Sequence, residues 1–429
     1  MKKSISFYTL GCRSNQSETA VLRNLFEQRG YRVLAEDSSS DLAVINTCTV
    51  TEKGDRDTLK LIHRLKKINA NMKIALIGCQ AQTQGEELKR LSGVHWIVGN
   101  AQKMDLVALI EKRRPGRQAH LITPPIPQKT FTVPGAGIEE QRTRANLKVQ
   151  DGCQSFCTYC EVPYARGPAR SRDFDDIFKE AGELVHAGHK ELVLTGINIG
   201  AYQDNGRTLL DVVKMLEEFD GLERIRISSI EPQMIPPDLV LLMGTKTKLC
   251  RYLHLPLQSM SDRILELMGR SYISDEIDLF LEFATQNVSG ICIGADVIVG
   301  FPGETEDDFN DTYEFLAQSS VNYLHVFSYS DRKFAQSRQF PNHIDRTTIR
   351  TRSAILRQLS ARKKNEFLRS SLGTTAKVLF EEKKKGGWMG LTDNYIRVKV
   401  VSSKDLHNQI LPVRLEELLD DVVLGSLNP

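Results

Sequence analysis

No stretch of these 429 residues is long and apolar enough to suggest a membrane span. There is no marked excess of either charge: 57 lysines and arginines against 54 acidic residues leave a net +3, so bulk charge establishes no nucleic-acid partner and local patches must. Eight cysteines in so long a chain, with no secretory pattern, are too few for a disulfide framework, which leaves metal binding or catalysis as the default. Repeats and low-complexity tracts are missing too, which excludes solenoids and disordered arrays. In the opening "MKKSISFYTLGC", Ser4, Ser6 and Thr9 interrupt what a signal peptide would keep apolar. The segment is expected to be a strand, and the protein cytoplasmic with no membrane partner.

What is present is an ordinary globular balance, 41% apolar and 26% charged, in a chain long enough for two or three cores. The first segment alternates strand and helix. Strands are expected at Ile5 to Leu10, Leu42 to Asn46, Ile74 to Ile77 and Trp96 to Val98. Helices are expected at Gln16 to Arg29 and Lys53 to Asn69, the second with Leu59, Ile62 and Leu65 inward. That rhythm implies a parallel sheet covered by helices. The following stretch, "RPGRQAHLITPPIPQKTFTVPGAGIEEQRTR", has five prolines and three glycines and reads as a linker.

A second series places strands at Ala145 to Gln150, Glu191 to Thr195, Arg224 to Ser228, Tyr252 to Leu255, Cys292 to Val299 and Asn322 to Phe327. Helices such as Phe174 to Ala187 and Glu306 to Gln318 lie between them. Six such units imply a partial barrel or strongly curved parallel sheet, with chemistry at the strands' carboxyl ends. From Asp345 to Ser370 a helix carries Arg350, Arg352, Arg357, Arg362, Lys363, Lys364 and Arg369. Short strands then suggest a small antiparallel barrel. The fold class is thus α/β, divided as 1–115, a linker at 116–142, a central domain at 143–345, the basic helix at 346–370 and a barrel at 371–429.

The cysteines come in two sets. Cys153, Cys157 and Cys160 form C-x3-C-x2-C directly after a strand. That loop can wrap one four-iron cluster but supplies only three of four thiolates, leaving an iron open to a coordinating substrate; a zinc site is the alternative. Cys12, Cys48 and Cys79 are far apart in sequence, yet each follows the carboxyl end of an expected strand, in "YTLGC", "VINTC" and "LIGC". Ligands so placed gather at one sheet edge. They could hold a second cluster or be three buried cysteines, and the glycines beside Cys12 and Cys79 favour close approach to a ligand. Cys250 and Cys292 sit in apolar surroundings and read as small buried hydrophobes.

"DGCQSFCTYCEVPYARG" resembles the cluster loop of radical S-adenosylmethionine enzymes, and "TLGCRSNQSE", "NTCTVTEKGDR" and "IGCQAQ" resemble the amino-terminal motifs of the methylthiotransferases. The resemblance spans essentially the whole chain. It implies two 4Fe-4S clusters: one on Cys153, Cys157 and Cys160 that binds S-adenosylmethionine, and an auxiliary one on Cys12, Cys48 and Cys79 that carries the sulfur to be inserted. It places Tyr159 by the adenine and Thr195, Gly196 and Asn198 by the cofactor's amino group. Ser229, Glu231 and Gln258 serve as polar anchors, and Asp296, Gly300 and Gly303 belong to a segment approaching the adenine. Three departures, Met260 in "LQSMSD", the absence of a glycine-threonine pair in "YSDRKFAQSR" and "CRSN" in place of the common "CKVN", touch no cysteine and bear on the shape of the substrate loops.

Inserting a methylthio group at an unactivated aromatic carbon exceeds the reach of side-chain acids and bases, so cofactors must carry the hard steps. The carboxyl-terminal barrel resembles the small TRAM-like RNA-binding domain of tRNA-modifying enzymes. Lys383, Lys384 and Lys385 with Trp388 and Tyr395, together with the basic helix, are expected to bind phosphates and stack on bases. The motifs are most similar to the branch acting at C2 of N6-threonylcarbamoyladenosine beside the anticodon of tRNA. The alternatives are isopentenyladenosine in tRNA, an aspartate of a ribosomal protein, or a noncatalytic iron-sulfur protein that binds RNA. A reductant and a sulfur donor, which no motif identifies, complete the expected partners.

Overall fold

The structure, a computed structural model, describes residues 3–116, 118–139, 142–384 and 386–427. Six parallel strands form the amino-terminal sheet, in the spatial order Arg32–Val33, Ser4–Thr9, Leu42–Thr47, Lys73–Gly78, Val94–Val98 and His120–Ile122. Runs such as "LAVINT" and "KIALIG" are apolar on both faces because helices cover both sides of the sheet. The helix Arg13–Gln28 closes one core around Phe7, Leu22, Phe26 and Trp96. Glu52–Ile68 closes the other, turning Thr58, Leu61, Ile62 and Leu65 inward at the spacing of one helical face. Leu59 faces solvent instead, at 37% exposure.

The proline-rich stretch is not wholly a linker. His120–Ile122 pairs with Val94–Val98 as the edge strand, where prolines on either side cost no ladder hydrogen bond.

The central strands Arg144–Lys148, Glu191–Thr195 and Arg224–Ile227 form one parallel sheet, and Tyr252–Gln258, Cys292–Val299 and Tyr323–Ser328 another. Single bridges, Ile225 with Leu249 and Ser229 with His254, join the two. The six strands therefore run in chain order around a partial barrel over one core that extends from Ala136 to Leu359. Cys250 and Cys292 are buried, as their surroundings in the sequence suggested.

The helix Arg346–Ser370, capped by Asp345, packs on this barrel. Two of its cations turn inward. Arg352 pairs with Glu304 and Glu306, and the Lys363 ammonium donates to the carbonyls of Ala317 and Ser319. These charges serve packing and cannot reach a phosphate. The last unit is a closed five-stranded barrel, antiparallel except where Arg397–Val400 runs parallel to Val422–Leu427. Trp388, expected to stack on bases, lies in its core at 7% exposure, with Nε1 donating to the Lys404 carbonyl. Lys385 is outside the described residues. No helix among the described residues is long and apolar enough to cross a membrane.

Candidate active site

Cys12, Cys48 and Cys79 follow the carboxyl ends of three neighbouring strands, so the sheet itself sets the thiols side by side. Gly11 has φ +89°, and a Cβ there would lie 2.7 Å from Cβ and Sγ of Cys48, so only glycine lets the two loops approach. Burial pushes the Cys48 thiol up to about 12, and the neighbouring Cys79 and Cys12 add to the shift. The buried Cys48 thiol resists ionising alone, and a metal cluster that displaces its proton resolves that conflict. The donor set fits an iron-sulfur cluster.

The second loop begins where Gln150–Asp151 pairs with Arg170–Ser171. Gly152, at φ +76°, is pressed against the Pro168 carbonyl, which a Cβ would meet at 2.0 Å. All three sulfurs of this loop accept hydrogen bonds: Cys153 from the Ser155 amide (3.5 Å), Cys157 from Arg270 (3.5 Å) and Cys160 from the Val162 amide (3.4 Å). Such donors stabilise sulfur ligands that carry negative charge.

The two loops face one cavity of about 180 Å³. Thr49, Val50 and Thr51, next to Cys48, form one wall; Tyr159, Cys160, Glu161 and Val162 form another; Gln258, Asp296 and Phe327 line the remainder. Arg332 fastens the walls together, donating to Thr49 Oγ1 (3.0 Å), Asp55 Oδ2 (2.8 Å) and Glu161 Oε2 (3.2 Å).

Behind the cavity the amino-terminal and central units share a buried ionic cluster. Glu18 accepts from Lys103 and Lys148 (2.5 Å each) and from Arg166 (2.9 Å). Asp151 takes Lys148 and Arg166 at 2.8 Å each. Burial opposes the Glu18 charge, but Arg166, Lys103 and Lys148 overcome it and hold the carboxyl well below its usual range. Burial likewise opposes the charge of Arg166, and the adjacent Cys79, Glu18 and Asp151 keep it protonated.

Residues 4–99 match the family described as "Uncharacterized protein family UPF0004", and residues 147–316 the "Radical SAM superfamily". The threonylcarbamoyladenosine tRNA methylthiotransferase MtaB of Aquifex aeolicus is 37% identical, over 94% of this chain and 98% of that one. The chain belongs to the radical S-adenosylmethionine methylthiotransferases. The Bacillus subtilis protein of the same name is 34% identical over 96% and 93% of the two chains. The tRNA-2-methylthio-N(6)-dimethylallyladenosine synthase of Ehrlichia chaffeensis is 32% identical over 97% of each. Among solved structures, the radical S-adenosylmethionine methyltransferase TsrM of Kitasatospora setae shares the fold, with a TM-score of 0.55 at 15% identity, covering 76% of this chain and 75% of that one. Membership implies S-adenosylmethionine and four-iron clusters as cofactors.

In this methylthiotransferase Tyr159, Gln258 and Asp296 line the cavity. The remaining expected contacts divide. Asn198 is buried and its Oδ1 has no partner, an acceptor left free for a donor such as an ammonium group. Glu231 is already bound to Arg270, the residue that donates to Cys157, so it orients that arginine and is not a free anchor. Thr195 is sealed in the core at 1% exposure, and the Gly196 carbonyl accepts from Ser14 Oγ of the amino-terminal unit. Ser229 and Gly303 lie away from the cavity lining. Gly300 packs against the basic helix, where a Cβ would stand 2.3 Å from Cγ1 of Ile349.

Sequence reasoning overlooked the histidines. His254 Nε2 and His325 Nδ1 lie 2.8 and 3.3 Å from Asp296 Oδ1, and the His254 Nδ1 is 3.2 Å from the Tyr323 hydroxyl. The two histidines and the two hydrogen bonds hold Asp296 down at about 2 against burial, which opposes them. Strand parity could not have indicated them, because the register shifts between Leu255 and Gln258 and breaks the alternation.

Proposed function

We propose that the protein inserts a methylthio group at C2 of N6-threonylcarbamoyladenosine, next to the anticodon of tRNA. The observation that carries this reading is the single cavity walled on one side by the loop after Cys48 and on the other by the loop of Cys160. A sulfur-bearing centre and a radical-generating centre must address one carbon, and the two loops provide facing seats. In this reading Cys153, Cys157 and Cys160 hold the cluster that binds S-adenosylmethionine, and Cys12, Cys48 and Cys79 the auxiliary cluster. When bound, these groups supply the electron, the adenosyl radical, the sulfur and the methyl group.

The chain's own residues position and insulate. Arg332 keeps both walls at fixed separation, Arg270 steadies Cys157, and Arg166 offsets negative charge beside Cys12 and Cys79. Asn198 offers its free carbonyl oxygen to the cofactor, while Tyr159 and Gln258 close the cavity around it. Residues 1–115 carry the auxiliary site, 143–345 the radical site, and the barrel from 371 contacts RNA in the cytoplasm. The threonylcarbamoyl substrate is favoured because relatives named for it match at 37% and 34%, against 32% for the relative named for dimethylallyladenosine.

Nucleoside mass spectrometry of tRNA from cells lacking the gene tests the assignment. Disappearance of 2-methylthio-N6-threonylcarbamoyladenosine is expected. Its persistence, with loss of the dimethylallyl product, would transfer the activity to the other substrate.

A further inference from the structure

We propose that the RNA strand is held in a cationic groove between the central barrel, the basic helix and the carboxyl-terminal barrel, and not at the lysine turn. The inference rests on the tRNA reading above and names the surface that would serve it. The groove encloses about 580 Å³. Arg357 reaches it from the helix and Arg397 from the last barrel; both are exposed, and neither forms an ion pair among the described residues. Lys364, one helical face along from Arg357, also lines it, with its ammonium 3.0 Å from the exposed Asp421. Ser360 and Ala361, between these two cations, are small and keep the channel open.

Tyr323 and Tyr395 add aromatic surface. Their rings are nearly parallel (12°) at 6.5 Å, and Tyr395 stacks on Tyr252 at 4.5 Å. Cations beside half-buried aromatic rings are the combination that holds single-stranded nucleic acid. The lysine turn lacks that second component, because Trp388 is buried beneath it.

One side-chain contact links the groove to the cavity between the cysteine loops. His325 lines it, and the same imidazole sits 3.3 Å from Asp296, which lines the cavity between the cysteine loops. A strand bound along Arg397, Lys364 and Arg357 touches, at His325, a residue in contact with that cavity.

The test is the affinity of a fluorescent anticodon stem-loop RNA, measured from about 50 to about 300 mM potassium chloride. The Arg357→Gln/Arg397→Gln protein should lose about 1.4 from the slope of log affinity against log salt, the value for two single-stranded phosphates. The Lys383→Gln/Lys384→Gln protein should keep the wild-type slope. Circular dichroism of both verifies that these exposed substitutions leave the fold intact. An unchanged slope in the arginine pair, or an equal fall in the lysine pair, overturns the groove and leaves the enzymatic reading standing. Displacement of polyglutamate, but not of RNA, by the arginine substitutions would assign the groove to an acidic protein. Wild-type protein that fails to bind the RNA at all refutes the tRNA reading itself.

Discussion

Removing Arg332 should loosen both cysteine-bearing walls at once. In Arg332→Ala, Thr49, Asp55 and Glu161 lose donors at 3.0, 2.8 and 3.2 Å. Three charge-assisted hydrogen bonds at about 1.5–3 kcal/mol each would sum to about 4.5–9 kcal/mol. That sum overstates the loss, because Asp55 can recruit water and Glu161 keeps the Phe334 amide at 2.9 Å. What remains is a carboxylate with 1% side-chain exposure and no cation, which sets the cost at about 3–5 kcal/mol. Hydrogen exchange reads this locally, without assuming that so large a chain unfolds in two states. Amides of 49–55 and 159–162 should exchange about two to three and a half powers of ten faster. Adding Glu161→Gln should restore most of the protection, since neither charge is then left alone. Exchange within about threefold of wild type, or a double variant worse than the sum of its parts, would refute the reasoning.

Replacing Cys153, Cys157 and Cys160 together should leave one four-iron cluster in anaerobically reconstituted protein, measured by iron and sulfide content; one cluster before replacement would contradict two sites. Gly11→Ala forces a side chain into the Cys48 contact and into a left-handed conformation costing about 1–3 kcal/mol, so iron content should fall by about half. Full loading would show that Cys48 can shift freely. Burial holds Glu304 up at about 7, so the folded chain binds the extra proton between about pH 4.5 and 7. Its contribution is complete below about 4.5 and is lost as pH rises through 7, about 3 kcal/mol in all. Denaturant titrations of Glu304→Gln should be flatter over that window than those of wild type.

The strands were legible because apolar runs between glycines and helices survive in sequence: Glu191–Thr195 and Cys292–Val299 match their expected bounds. Sheet order then turned three distant cysteines into neighbours. Pairing was not legible. Arg352 and Lys363 have the same letters as solvent-facing cations, and only the carboxylates and carbonyls of neighbouring elements reveal them as buried. The close packing at Gly300 was hidden for the same reason: the Ile349 that meets it comes from a helix almost fifty positions later. The strand at 120–122 was hidden by flanking prolines, which disrupt periodicity without preventing an edge pairing.

The cluster around Glu18 restricts how such a chain can be recombined. Glu18 and Lys103 belong to one unit, and Lys148, Asp151 and Arg166 to the other, so the central unit carries an excess cation that Glu18 faces across the seam. A chimera that grafts the amino-terminal unit of a relative onto this central barrel must import a matching acid at the position of Glu18. Without it, Lys148 and Arg166 would be sealed against Asp151 alone, and the hybrid would come apart at the seam where its two metal sites are meant to meet.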